Sequence, residues 1–217
     1  MALFSTNATS WRIVNSVVES NGGSAILNLR PGGVAIGGDE VSLVTRAQAG
    51  DEAAFALLVD QRRDQIYRTA WAILRNDADA LDAAQETCIN AWRELSRLRD
   101  PGRFDAWLTR SLVNRCRTML RSRRRVHVRE IPIDRDEALA RSASSQAGPE
   151  EYADSDAIRR GFERLTPEQR TYLVLHHVEG RSIVEIASVV GAAEGTVKWR
   201  LSEARKALER HLERERR

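Results

Sequence analysis

The stretch EIASVVGAAEGTVKWRLSEAR, Glu185 to Arg205, gathers the side chains best suited to act on another molecule: Trp199, ringed by Lys198, Arg200, Arg205 and Lys206. An indole offers an apolar plane that packs on a thymine methyl, and a carboxylate such as Glu203 accepts from cytosine N4. The cations suit phosphate oxygens and set register rather than sequence. This is the chemistry of reading a duplex.

The elements that would hold these groups are legible from spacing. Ile186, Ala187, Val189 and Val190 form a short amphipathic cluster, and Ser182 with Glu185 has the Ser-x-x-Glu form of a capping box. Gly191 supplies a stop, and Ala192 and Ala193 a short connection. A second helix then places Val197, Leu201, Ala204 and Leu208 on one buried stripe. At 100° per residue, its opposite face is centred on Trp199 and Lys206, flanked by Thr196, Ser202 and Glu203. Two helices joined by a tight turn containing Gly form a helix-turn-helix. An ordinary αα-hairpin has the same outline, and the rest of the chain favours DNA binding over it.

Catalytic patterns find no match. His127, His176, His177 and His211 show no metal-ligand spacing, and there is no Gly-rich phosphate loop followed by Lys and no G-x-S-x-G. No cofactor is expected, and the chain is not expected to be an enzyme. Cys88 and Cys116 are far apart, form no C-x-x-C and fall on apolar helical faces, as reduced core cysteines do in a reducing cytoplasm. No apolar run reaches the length of a membrane span, and the N-terminus lacks a basic n-region and a continuous h-region. A soluble cytoplasmic protein is expected.

At 217 residues the chain holds one large or two small domains. Residues 1–40 are rich in Gly, Ser and Asn and read as a disordered extension, or as the product of a misassigned start codon. From Val41 the pattern is helical. Asp51 caps a helix whose face carries Phe55, Leu58, Val59, Ile66, Ala70, Trp71 and Leu74. After RNDAD a second helix has Leu81, Ala84, Cys88, Trp92 and Leu95 on its expected buried stripe. The loop RDPGR, Arg99 to Arg103, precedes a third helix with Phe104, Trp107, Leu108, Leu112 and Met119 or Leu120. Residues 126–155 are acidic and rich in Ser and Ala, the composition of a linker. A last helical unit begins near Asp156; Thr166 to Gln169 combine an N-cap, Pro at N1 and a capping-box glutamine, and Gly180 ends that helix. The fold class is therefore all-α: two small helical domains, 41–125 and 156–217, joined by a flexible linker.

The formal net charge is only +3, but its distribution is uneven. The third helix ends in Arg110, Arg115, Arg117, Arg121, Arg123, Arg124 and Arg125, with Asp105 the one acid in that helix to offset them. Lys198 and Lys206 are the chain's lysines, and every other basic residue is Arg. That preference suits phosphate and base-edge contacts and equally suits a GC-rich coding sequence. Beside a helix-turn-helix, the cluster reads as a footprint for a nucleic-acid backbone. Two basic helical units on one tether can grip DNA at two places at once.

The stretch from DEAAFALLVDQRRDQIYRTAW through DAAQETCINAW and FDAWL to RSRRR resembles the second conserved region of bacterial sigma factors. LTPEQRTYLVLHHVEGRSIVEIASVVGAAEGTVKWRLSEARKAL resembles their fourth. With only a linker between them, the chain resembles an extracytoplasmic-function sigma factor. The resemblance implies core RNA polymerase and promoter DNA as partners, and leaves open whether an anti-sigma factor controls the chain. By position, it implies that Asp82, Gln85 and Glu86 dock on polymerase, with Leu81 replacing the acidic residue usual there. It implies that Arg99, Arg103, Trp107, Arg110, Asn114 and Arg117 read a melted minus-ten element by taking bases out of the stack. It assigns Thr196, Lys198, Trp199, Arg200, Ser202, Glu203, Arg205 and Lys206 to the minus-thirty-five element, with departures from the family pattern at Trp199 and Glu203. A duplex-binding regulator that works without polymerase would explain the C-terminal unit alone.

Overall fold

Asp51 and Asn76 start the two helices on which the N-terminal unit is built, each by taking the backbone N–H three residues on: Ala54 for Asp51, Asp79 for Asn76. The computed structural model describes residues 39–129 and 158–215, and all regular structure among them is helical. The N-terminal unit comprises α1 (Asp39–Gln48), α2 (Glu52–Leu74), α3 (Asp77–Glu94) and α4 (Phe104–Arg129). Arg75 ends α2 in the left-handed region at φ 55, its N–H donating to the Trp71 carbonyl. Because Asn76 at once begins the next cap, the chain reverses within two residues and lays α3 back along α2.

The buried stripe of α3 consists of Ala80, Ala83, Ala84, Thr87 and Ala91. Small side chains let the helices approach closely, so contact with neighbouring backbone replaces bulk as the source of packing. This corrects the periodicity reading. Leu95 is buried and Cys88 half-buried, but Leu81 is 52% exposed and Trp92 38%. Trp92 lies against Phe55 of α2, ring centroids 4.9 Å apart, rather than beneath it. Phe104, Leu108, Leu112, Val113 and Cys116 of α4 complete the core, while Trp107 is half-buried at its edge. Burial pushes the Cys116 thiol up to about 12, which leaves it unreactive.

The C-terminal unit contains α5 (158–163), α6 (Pro167–Leu173), α7 (Ile183–Val190) and α8 (Glu194–Glu215). Both expected capping boxes are present, Thr166 with Gln169 and Ser182 with Glu185. α6 runs into one π-helical turn, Val174–Val178, and Gly191 closes α7 at φ 69. A side chain at Gly191 would be strained in that region. Val197, Leu201, Ala204 and Leu208 are all buried, as the stripe requires. Gly161 admits α8 closely: a Cβ there would stand 3.1 Å from Leu208 Cδ1. The extension before residue 39, residues 130–155 of the linker and residues 156–157 of the expected last unit lie outside the described residues, and α4 continues to Arg129, past the expected boundary at 125.

The two units pack directly on each other, α7 along α4 and α6 against α2. The seam is polar. Arg170, buried on α6, donates from Nε and Nη2 to the Ile73 carbonyl at 3.2 and 3.0 Å, at the C-terminal end of α2. A guanidinium there satisfies a carbonyl oriented with the negative end of the helix dipole. Burial, then the neighbouring Arg75, pulls Arg170 down to about 10, against the pull of Glu163. Arg75 itself pairs with Glu163 at 2.7 Å. Arg117 of α4 donates to the Val190 carbonyl at 3.2 Å, at the end of α7.

His177 is half-buried in the C-terminal unit. Burial, the Arg205 guanidinium and His176 hold it down to about 3, and Arg205 Nε donates to its Nε2 at 3.2 Å. A neutral imidazole accepts that bond; a protonated one would set two cations together. Its folded pKa lies below the ordinary 6.5, so it contributes stability that is present above about pH 6.5 and lost as pH falls toward 3. His211 is shifted in the same direction by burial and nearby arginines. Discounted for solvent screening of a half-buried ring, the loss from His177 between pH 7 and pH 5 is about 1 kcal/mol. Urea unfolding at the two pH values should show it, and His177→Gln should remove that part of the pH dependence. An equal pH dependence in the variant would place the titration elsewhere.

Candidate nucleic-acid interface

The helix-turn-helix presents α8 to solvent along the face expected from its period. Trp199 is 58% exposed, and Thr196, Lys198, Ser202 and Lys206 are exposed beside it. Trp199 therefore stands outward rather than folding over the preceding helices. Arg200 lies over its ring, the guanidinium carbon 5.0 Å from the centroid, and reaches Glu168 of α6 at 2.9 Å. Cation–π contact fixes the indole's orientation without covering its outer side.

Four members of the expected set are engaged within the unit, Arg200 through Glu168 among them. Glu203 is half-buried and pairs with Lys206 at 3.2 Å, one turn along α8. Arg205 is half-buried through its bond to His177, and burial lowers its pKa. The outward face thus consists of an indole, small hydroxyls and a paired carboxylate, bordered by Lys198 and Lys206.

Arg99 and Arg103 are exposed on the loop between α3 and α4, which Asp100 shapes by accepting from the Gly102 N–H at 3.0 Å. Trp107, Arg110, Asn114 and Arg117 follow along one side of α4. Arg110 and Asn114 are exposed, Trp107 sits 6.1 Å from the Phe104 ring, and Arg117 is taken up by the Val190 carbonyl. The basic cluster is partly neutralised at home. Arg115 pairs with Asp82 at 3.1 Å, and Arg123 with Asp79. Arg110, Arg121 and Arg125 remain exposed. A cleft opens between the end of α4 and the second unit, lined by Arg117, Arg121, Glu168, Tyr172, Thr196 and Arg200.

On α3, Asp82 and Gln85 are exposed and Glu86 is half-buried. Sequence reasoning noted Leu81 there as an apolar departure but missed Ile89 and placed Trp92 on the buried stripe. Leu81 and Ile89 (46% exposed), with Gln85 and Trp92, line one outer side of the helix. The helix carries two stripes, one of alanines and one of large residues, and the large one faces out. Among the described residues no helix is long and apolar enough to cross a membrane.

Residues 58–126 match the Sigma-70 region 2 model and residues 155–208 the Sigma-70, region 4 model. The ECF RNA polymerase sigma factor SigE of Mycolicibacterium smegmatis is 35% identical over 75% of this chain and 64% of its own length. SigM of Mycobacterium tuberculosis is 33% identical over 80% of this chain and 84% of its own. Among solved structures, CnrH in complex with the cytosolic domain of CnrY aligns with a TM-score of 0.58 at 26% identity, covering 81% of this chain and 97% of that one. The sigma factor RpoE of Bartonella quintana, solved with the anti-sigma factor NepR, shares the fold at a TM-score of 0.61 and 22% identity, over 73% and 96% of the two chains.

Proposed function

The chain belongs to the extracytoplasmic-function RNA polymerase sigma factors, and from that premise we propose that it acts in the cytoplasm, joins core RNA polymerase through α3 and reads promoter DNA through α4 and α8. It is an initiation factor rather than a catalyst. The observation that carries the reading is the pairing of two outward faces on one molecule. The apolar and acidic side of α3 suits a protein partner, and the Trp199 face of α8 suits the major groove. A regulator that bound duplex DNA alone would have no use for Leu81, Ile89 and Trp92 in solvent. Reconstitution with core polymerase tests the whole: promoter-specific run-off transcripts are expected, and their absence would remove the reading.

Core docking has a specific signature. Asp82→Ala with Gln85→Ala should weaken core binding while leaving the circular dichroism spectrum unchanged, because both side chains stand outside the buried stripe. Leu81→Ala and Ile89→Ala should each weaken it by roughly tenfold, about 1.4 kcal/mol, the scale of burying part of a large aliphatic side chain. Fluorescence anisotropy with labelled core measures this, and unchanged affinity in all of them would move the docking surface off α3.

Sequence preference is set differently from affinity. Glu203→Arg and Trp199→Ser should change which minus-thirty-five sequences emerge from a randomised promoter library. Lys206→Ala should weaken all of them alike and reduce the salt slope by about one. An unchanged preference in both the Trp199 and Glu203 variants would exclude these two residues from base readout.

A further inference from the structure

The connection from α3 to α4 is exposed in its middle and held differently at its two ends. α3 gives way to a 3-10 turn, Leu95–Arg97, closed by the Leu98 N–H donating to the Leu95 carbonyl at 3.0 Å. Pro101–Arg103 form a second such turn, capped by Asp100, and Phe104 then opens α4. Arg99 and Arg103 stand exposed within this stretch.

The α4 end is anchored several times over. Phe104 is 1% exposed, and its N–H donates to the Pro101 carbonyl. Asp105 pairs with Arg62 of α2 at 3.5 Å and with Arg181 at 2.9 Å. Arg181, 6% exposed, also pairs with Glu179 at 2.8 Å and donates to the Thr109 hydroxyl at 2.5 Å. Glu179 accepts in turn from the Thr69 hydroxyl of α2 at 2.5 Å.

At the α3 end, packing holds the Leu95 and Leu98 side chains, but the direction of their carbonyls is set by hydrogen bonds. Gln48, the last residue of α1, donates from Nε2 to the Leu95 carbonyl at 3.0 Å and to the Leu98 carbonyl at 2.6 Å. Among the described residues no other side chain from outside the connection bonds to the backbone of residues 95–98. The last carbonyls of a helix lack partners within it, and an amide nitrogen carries two hydrogens, one for each. Gln48 is itself fixed. Ala47 beside it is buried, and on either side of it Arg46 and Asp51 pair at 2.6 Å.

The bond to Leu98 has the longer reach. That carbonyl and the Arg99 N–H belong to one planar peptide unit, so holding the oxygen sets the direction in which Arg99 leaves α3. Beyond it the loop is tied to itself: Asp100 accepts from the Gly102 N–H, Pro101 has a fixed φ, and Arg103 pairs loosely with Asp100 at 3.8 Å. The loop is a stiff piece aimed from its α3 end.

We propose that Gln48 of α1 is a positioning residue for minus-ten readout, its two bonds aiming the loop that carries Arg99 and Arg103. This rests on the reading of those two arginines as minus-ten contacts. Gln48 acts through the loop and not on the bases. A loop already in its bound direction loses less conformational freedom on binding and discriminates more sharply among bases.

Gln48→Glu tests it, since it keeps the shape and replaces two donors with acceptors. Gln48→Leu removes the donors without adding charge, and serves should the carboxylate disturb the bundle. Gln48→Lys restores donors to the same carbonyls. The probe is a fluorescent fork, duplex upstream and single-stranded across the minus-ten positions. Its sequence is the one that the unaltered chain with core polymerase selects from a randomised library. The first two variants should weaken fork binding by about tenfold, the scale of one or two net hydrogen bonds, and flatten the selected preference. In both, core affinity should be unchanged and hydrogen exchange at the Leu98 amide should quicken, whereas Gln48→Lys should keep the preference. Unaltered fork binding and preference in both, while Arg99→Ala and Arg103→Ala weaken binding, overturns the proposal and leaves the readout standing. A matching loss of core affinity, or a Gln48→Lys chain as impaired as Gln48→Leu, makes Gln48 a support of the bundle and overturns it too. If Arg99→Ala and Arg103→Ala bind the fork normally, the minus-ten reading of the loop fails and the proposal falls with it.

Discussion

Arg181 imposes the constraint on which the relation between the two units depends. A guanidinium this deeply buried must be paired and hydrogen-bonded, or the cost of removing it from water is left standing. Burial pulls its pKa down, yet Glu179 and Asp105 outweigh that and hold it above the ordinary value. Because Asp105 and Thr109 belong to α4 while Glu179 is braced by Thr69 of α2, the charge is settled only when three elements meet. Losing one partner while the seam stays shut would cost on the order of 3–5 kcal/mol. The seam therefore has one register.

The same logic recurs at the other contacts. Arg170 meets the end of α2 at Ile73, and Arg117 meets the end of α7 at Val190. Helix ends carry unpaired carbonyls and partial negative charge, so each unit offers the other a ready acceptor. These bonds fix how the two units meet, while the hydrophobic cluster that continues from one unit into the other adds burial in proportion to its area. The polar contacts therefore set the register of the seam, and the apolar ones hold it.

Much of each unit was legible in the sequence because its determinants are local. The capping boxes at Thr166 and Ser182, the stop at Gly191 and the stripe from Val197 to Leu208 involve residues within a few turns of one another. The outward aspect of Trp199 followed from the same stripe. Of the inner face of α3 only Ala84 followed, because Ala80, Ala83 and Ala91 bury by fit rather than by hydrophobicity, and larger Leu81 and Trp92 outweighed them in any apolar pattern. The seam was not legible at all. Arg181 with Thr109 and Arg170 with Ile73 are pairs of individually ordinary residues far apart in the chain, and neither residue type nor spacing marks them as partners. Nor could spacing reveal that Arg205 turns in toward His177, since its position on α8 fits either direction.

The alanine face of α3 also explains why a docking surface stays available. Close packing on its inner side leaves Leu81, Ile89 and Trp92 no place in the core, so the helix holds them in solvent. The surface proposed for core polymerase is thus open while the units are packed together, and the seam contacts lie on α2 and α4 instead. The side of α3 that suits a protein partner and the sides of α2 and α4 that hold the second unit are separate, so one bundle serves both without either covering the other.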